Sequence, residues 1–132
     1  MVIDSNQKNR LIDLDSGIYI AVFYMPVGLT IKIGRLGKFY FRRGMYFYTG
    51  SAQRNLLARI ERHGRKNKPL HWHIDYLSVK ARMLGAITIS GQREHECNVA
   101  GELGELFELA VPRFGASDCR CAGHLFYAQQ LP

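Results

Sequence analysis

Gly17-Ile18-Tyr19-Ile20-Ala21-Val22-Phe23-Tyr24 is an unbroken run of β-branched, aromatic and small residues. It reads as a strand, because branched and aromatic side chains pack well on a pleated surface. Before it, residues 1–16 are polar and mixed and read as a lead-in, with Leu11, Ile12 and Leu14 free to tuck under the core. After it, Met25-Pro26-Val27-Gly28 carries turn chemistry, and Leu29-Thr30-Ile31-Lys32-Ile33 alternates like a strand with one wet face. Gly34, Gly37 and Gly44 then bracket Lys38-Phe39-Tyr40-Phe41, a short additional strand. Residues 45–48 form another strand, closed by Gly50 and Ser51.

A helix follows. Ser51 suits its N-cap, and Leu56, Leu57 and Ile60 supply an apolar stripe, with Arg54, Arg59, Arg62 and Arg65 on other faces. Gly64 and Lys66-Asn67-Lys68-Pro69 end it. The block His71-Trp72-His73-Ile74-Asp75-Tyr76-Leu77 is open between a short helix and an extended segment. Residues 83–89 read as a strand, and residues 94–109 as a helix with apolar positions at Cys97, Ala100, Leu103, Leu106 and Phe107. Leu125-Phe126-Tyr127-Ala128 is the last apolar piece. The expected fold is a single α+β domain over 1–132: a lead-in to residue 16, a core over 17–107, and a C-terminal extension over 108–132 packed on the core. Its small, mainly antiparallel sheet is flanked by helices.

The chain has 132 residues, 47% hydrophobic and 22% charged, enough for one core. That balance excludes disorder over most of the length. Eighteen Lys and Arg against eleven Asp and Glu give a net charge of +7. Such a surplus favours polyanions through phosphate contacts and counterion release. The polar N-terminus lacks a signal-peptide pattern, and no apolar run reaches the roughly 18 residues of a membrane helix. The chain therefore reads as cytoplasmic, with no membrane partner. Cys97, Cys119 and Cys121 are an odd count, which argues against a disulfide framework and for reduced thiols packing the tail.

Cutting a phosphodiester needs a positioned base, a cation to offset charge growing on phosphate, and often a hard divalent ion on one or two carboxylates. Tyr19 and Tyr48 share a face if their strands are neighbours. Arg59 and His63, four apart, share a helix face. Glu94 and Glu96 open the later helix, where a carboxylate suits the helix dipole. Taken singly, each residue has a plainer reading: core tyrosines, a solvated helix face, surface carboxylates.

Their order carries a resemblance. Gly17-Ile18-Tyr19 and Tyr48-Thr49-Gly50, followed by Leu56-Leu57-Ala58-Arg59-Ile60-Glu61-Arg62-His63 and a later helix opening at Glu96, resemble the GIY-YIG nuclease superfamily over residues 17–107. Residues of about 25–44 then stand as a hairpin inserted between the two motif halves. Gly34-Arg35-Leu36-Gly37, the His71–Tyr76 block, Glu96-Cys97 and the Cys119-Arg120-Cys121 tail are similar to the small Uri-type branch. The resemblance implies a divalent-metal-dependent endonuclease acting on single-stranded, branched or damaged DNA, with RNA also open. Its products would carry a 5′-phosphate and a 3′-hydroxyl. It implies Tyr19 for activating water, Tyr48 for binding phosphate or water, Arg59 for stabilising the transition state, and His63 as base or orienter. Glu96, with Glu94 as rival, would hold one Mg²⁺ or Mn²⁺. Association with a DNA-repair glycosylase follows by family analogy only. The alternative is a module that keeps the fold and binds nucleic acid without cutting it.

Other residues are assigned more loosely. Arg42, Arg43, Arg62, Arg65, Lys66 and Lys68 would flank the cleft and hold phosphates, and Trp72 would stack on a base. His71, His73, Asp75, Asp118 and His124 are candidates for bracing the site, Asp75 by orienting a histidine; a structural corner with Trp72 in the core explains the 71–76 block equally well. Zinc at the cysteines is disfavoured, because Cys119 and Cys121 are separated by one residue and the fourth ligand must come from a distance, such as Cys97 or His95.

Overall fold

The computed structural model describes residues 2–3, 15–117 and 119–129. The lead-in residues Leu11, Ile12 and Leu14, and Asp118, lie outside the described residues. Among the described residues, eight strands and three α-helices follow in the order β1 (Val2–Ile3), β2 (Gly17–Met25), β3 (Leu29–Ile33), β4 (Gly37–Phe41), β5 (Gly44–Ala52), α1 (Leu56–His63), α2 (His73–Ser78), β6 (Arg82–Ile89), α3 (Glu96–Leu106), β7 (Glu108–Leu109) and β8 (Leu125–Ala128). The fold is α+β. Six strands form one sheet in the order β1-β6-β2-β5-β8-β7, and β3 and β4 form a separate hairpin. All pairings among the described strands are antiparallel. No helix among the described residues is long and apolar enough to cross a membrane.

The central strand explains its own sequence. On one face of the sheet, Tyr19, Ala21, Phe23 and Met25 pack with Leu56 and Ile60 of α1, Ile74 and Leu77 of α2, and Ile31, Ile33 and Phe41 of the hairpin. On the other, Ile20 and Val22 pack with Phe47 and Phe126 of the sheet and Ala100 and Leu103 of α3. A strand covered on both faces has no wet side, so its sequence runs apolar without alternation. The inserted hairpin forms as expected and seals one edge of the first layer.

Several boundaries differ from the sequence reading. β5 continues through Ser51 to Ala52, and α1 is capped by Asn55, whose backbone is left-handed (φ 56°). Ser51 is therefore a strand residue, not the N-cap. Its pairing with Ile18 extends the β2–β5 ladder past the point where its composition suggests a stop. Tertiary pairing overrides local capping preference here. The later helix starts at Glu96 after a 3₁₀ turn, Arg93–His95, and ends at Leu106. Leu106 is 74% exposed and does not join the apolar stripe. Phe107 leaves the helix and stacks on Phe47, ring centroids 4.5 Å apart. The block at 71–77 resolves into α2, with Trp72 at its N-cap.

The segment set apart as a C-terminal extension enters the sheet. β8 pairs with β5 through Tyr48↔Leu125 to Met45↔Ala128, and β7 pairs with the far side of β8. The loop between them thereby ends beside Tyr48, and this brings residues 115–117 and 119–124 to the same end of the sheet as the two tyrosines.

Candidate active site

Antiparallel register sets the first two side chains. Tyr19 faces Gly50 and Ala21 faces Tyr48, so the two phenols sit diagonally on one face, with ring centroids 6.4 Å apart. Two glycines make the space. A Cβ on Gly50 would lie 2.6 Å from the Tyr19 hydroxyl, and one on Gly115 would lie 2.9 Å from the Tyr48 ring. Gly115 also has φ 72°, where only glycine is unstrained.

Helix α1 places Leu56, Ile60 and His63 into the core and leaves Arg59 half-buried beside them. The Tyr19 hydroxyl and His63 Nε2 are 2.7 Å apart, and His63 also packs edge-on against Tyr48, at 5.8 Å. Burial, and then the Lys68 cation, lowers the His63 pKa from 6.5 to about 3, so the ring is neutral. Burial raises the Tyr19 phenol well above 10.0, and Tyr48 adds to the shift. Tyr48 is raised by burial and then by Glu96. At neutral pH the trio is two phenols and a neutral imidazole.

The His63 shift has a consequence for stability. With its pKa near 3 in the folded chain and 6.5 unfolded, the unfolded chain binds this proton first. Stability is fully present above about pH 6.5 and falls as pH drops towards 3, by at most about 1.4 kcal/mol per pH unit. His63→Gln is expected to flatten that acid limb. Equal slopes of thermal midpoint against pH for the two proteins would rule this out.

Arg59 donates to the Ser51 carbonyl at 2.8 Å, and its guanidinium lies 5.0 Å from the Trp72 ring. Ser51 Oγ donates to Glu96 Oε1 at 2.5 Å. Ser51 thus joins the cation to the carboxylate, a role that its reading as a cap concealed. Glu96 Oε2 also lies 2.7 Å from His124 Nδ1. Burial alone would raise the Glu96 pKa, but the hydrogen bonds with His124 and Ser51 hold it below the usual carboxylate value. Tyr19, Tyr48, Arg59 and Glu96 line one open cavity of about 530 Å³; Glu94, on the 3₁₀ turn, does not. Arg54 and Arg93 also line it, so three arginines and one carboxylate give a positive wall. The sequence analysis placed Arg54 only on a helix face and did not single out Arg93; their places just after Gly50-Ser51 and just before Glu96 were the available signal.

A hard divalent ion fits the oxygen donors at this wall. One ionised carboxylate flanked by a serine hydroxyl suits Mg²⁺ or Mn²⁺, which keep much of their water shell and need few protein ligands.

The basic residues divide differently. Asp75 is fully buried and accepts from Arg62 at 2.7 and 3.1 Å and from the backbone N–H groups of His71 and Trp72, each at 2.8 Å. It braces the turn into α2 and orients no histidine. Lys68 donates to the Arg62 and His63 carbonyls, and its side chain is only 3% exposed; burial lowers its pKa to about 8. Lys66 is bonded to the Ser78 and Ala81 carbonyls. Arg62, Lys66 and Lys68 are thus drawn into the scaffold and are not free at the cleft. Arg42 pairs with Glu108 and lies over Tyr127, and Arg43 bonds Tyr24. Both precede Gly44, about 20 Å along β5 from Gly50, so they do not flank the cavity. Arg65 is exposed and lines no part of it. Trp72 does, half-exposed between Arg59 and Arg62, and is not a core residue. His71 and His73 line the rim, where His73 Nδ1 accepts from the Gly115 N–H at 2.9 Å.

The cysteines also depart from expectation. Cys97 and Cys121 are joined in a disulfide, with Cα atoms 6.1 Å apart, and Cys119 is free. The spacing along the chain hid this, because Cys97 comes from α3 and Cys121 from the loop before β8.

A family model described as a domain of unknown function, DUF123, matches residues 18–132. The chain belongs to the DUF123 family. No curated protein and no solved structure matches it. The match runs from the first residues of β2 through β8, so every side chain described at the cavity lies inside the DUF123 domain.

Proposed function

We propose that this DUF123 domain is a divalent-metal-dependent endonuclease of GIY-YIG type that hydrolyses DNA phosphodiester bonds. The observation that carries this reading is the convergence of Tyr19, Tyr48, Arg59 and ionised Glu96 on one open, positively lined cavity, with His63 directly behind Tyr19. A module that only binds has no need for a half-buried, ionised glutamate in one cavity with two phenols.

The roles follow from the protonation states. Putting a proton on His63 at pH 7, against a pKa of about 3, costs roughly 5 kcal/mol. His63 therefore orients the Tyr19 hydroxyl more than it stores a proton. Tyr19 holds the attacking water, Tyr48 donates a hydrogen bond to a phosphate oxygen, and Arg59 offsets the charge that develops there. An ion bound at Glu96 would supply an acidified water and charge compensation, which this neutral trio does not. Arg54, Arg93 and Trp72 would hold the flanking backbone and stack a base.

The test is cleavage of labelled single-stranded, duplex and branched DNA with Mg²⁺ or Mn²⁺, with chelator as control. Metal-dependent product is expected on at least one substrate. Binding without product on every substrate would remove the enzyme and leave a binding module. Tyr19→Phe is expected to slow cleavage about 10²-fold with an unchanged circular dichroism spectrum. Wild-type rates in that variant would free Tyr19 of the role.

A further inference from the structure

Next to Tyr48, Cys97, Cys119 and His124 line the cavity and, with Cys121, make a second group of donors that the nuclease reading does not use. Cys97, Cys119, Cys121 and His124 each offer one ligand atom, and all four atoms lie within 4.8 Å of one another. His124 Nε2 is 3.4 Å from the Cys119 sulfur and 4.0 Å from the Cys97 sulfur. Around a tetrahedral zinc, with metal–sulfur and metal–nitrogen bonds near 2.3 and 2.0 Å, neighbouring donors stand about 3.5–3.8 Å apart. The disulfide uses only two of the four and gives no reason for His124 to aim at the sulfurs.

His124 is 1% exposed, and its Nδ1 sits 2.7 Å from Glu96 Oε2. With Nδ1 turned to the carboxylate, Nε2 is the ring nitrogen that faces the sulfurs. A carboxylate behind a histidine in this way is the usual support of a zinc ligand. The loop is also built around the cluster. Arg113, in a left-handed conformation (φ 66°), donates to the Cys121 carbonyl at 2.7 Å and to the Ala116 carbonyl. The His124 N–H returns to the Phe114 carbonyl at 2.8 Å.

We propose that in the reduced chain Cys97, Cys119, Cys121 and His124 form a structural zinc site that braces Glu96 through His124. A dithiol reductant opens the disulfide, taking up the sulfur–sulfur bond as its own cyclic disulfide and leaving two thiols. Zn²⁺ then displaces three protons, one from each thiol, and takes the neutral imidazole as fourth ligand. All four positions are filled by protein, so the ion is structural, with no open position for water. Sequence spacing argues against zinc because the fourth ligand is distant in the chain; α3 supplies it as Cys97.

The chain should be purified under reductant, metal content measured by mass spectrometry, and the metal exchanged for Co²⁺. One zinc per chain is expected, with a tetrahedral cobalt spectrum showing thiolate charge transfer. Cys119→Ser should lose the bound metal. Glu96→Gln should keep the ligands and weaken zinc about 10- to 100-fold. These readouts involve no DNA, so they stand or fall apart from the nuclease reading. A reduced wild-type chain that takes up neither zinc nor cobalt would overturn the proposal. So would a Cys97–Cys121 disulfide that persists under reductant, or a Cys119→Ser variant that binds zinc as tightly as wild type.

Discussion

Glu96→Gln is expected to reduce metal-dependent cleavage by on the order of 10²–10³-fold, the scale seen when one electrostatic stabiliser is removed from a transition state. The substitution keeps shape and the ability to accept a hydrogen bond, so Ser51 Oγ retains its partner. What is lost is the charge that three arginines and two phenols surround. Because hydrogen bonds hold this carboxyl below its usual pKa, wild-type activity should not decline through loss of this charge until the pH falls below about 4.5, the unperturbed carboxyl value. Glu94→Gln, on an exposed turn outside the cavity, should cleave normally. The comparison is made by single-turnover rates with saturating Mg²⁺. A normal rate for Glu96→Gln together with a dead Glu94→Gln would reverse the ligand assignment; normal rates for both would remove a glutamate from the chemistry.

The largest stability effect is expected at Asp75. Asp75→Ala leaves Arg62 and the buried Lys68 ammonium without their carboxylate and strands the His71 and Trp72 N–H groups. Breaking a buried pair by removing one partner costs about 3–5 kcal/mol, which for a domain of this size is a fall of roughly 10–20 °C in thermal midpoint. The sign of the pH dependence is set by the shift. Burial pushes the Asp75 pKa up, but the Arg62 and backbone hydrogen bonds outweigh it, and the net value lies below 3.8. Its contribution is therefore fully present above about pH 4 and lost as pH falls through the folded-state pKa. Calorimetry on the two proteins at neutral pH is decisive, since a shift of only a degree or two would mean that the turn into α2 does not depend on this carboxylate. The effect reaches the cavity as well, because that turn carries Trp72 and His73 to its rim.

How far the site was legible can be followed residue by residue. Tyr19, Tyr48 and Arg59 were recognisable because each lies a fixed number of residues from a glycine or helix position, and the ladder and the helix turn translate spacing into direction. His63 was found by the same rule, although its burial was not. Lys66 and Lys68 read as surface cations because charge composition does not say which carbonyls lie within reach. Arg42 and Arg43 read as cleft residues because the length of β5 was underestimated by five residues, Gly44 and Thr49 to Ala52.

Local sterics and periodicity determined the strands, the inserted hairpin and the apolar stripe of α1, since each depends on neighbours within a few residues. The tertiary structure alone decided the rest. Tyr19 meets His63 across 44 residues of chain, Ser51 meets Glu96 across 45, and Cys97 meets His124 across 27. The first depends on α1 packing on β2, the second on α3 meeting β5, and the third on β8 entering the sheet beside β5. Contacts between distant segments are selected by burial of a shared core, and no local pattern encodes them.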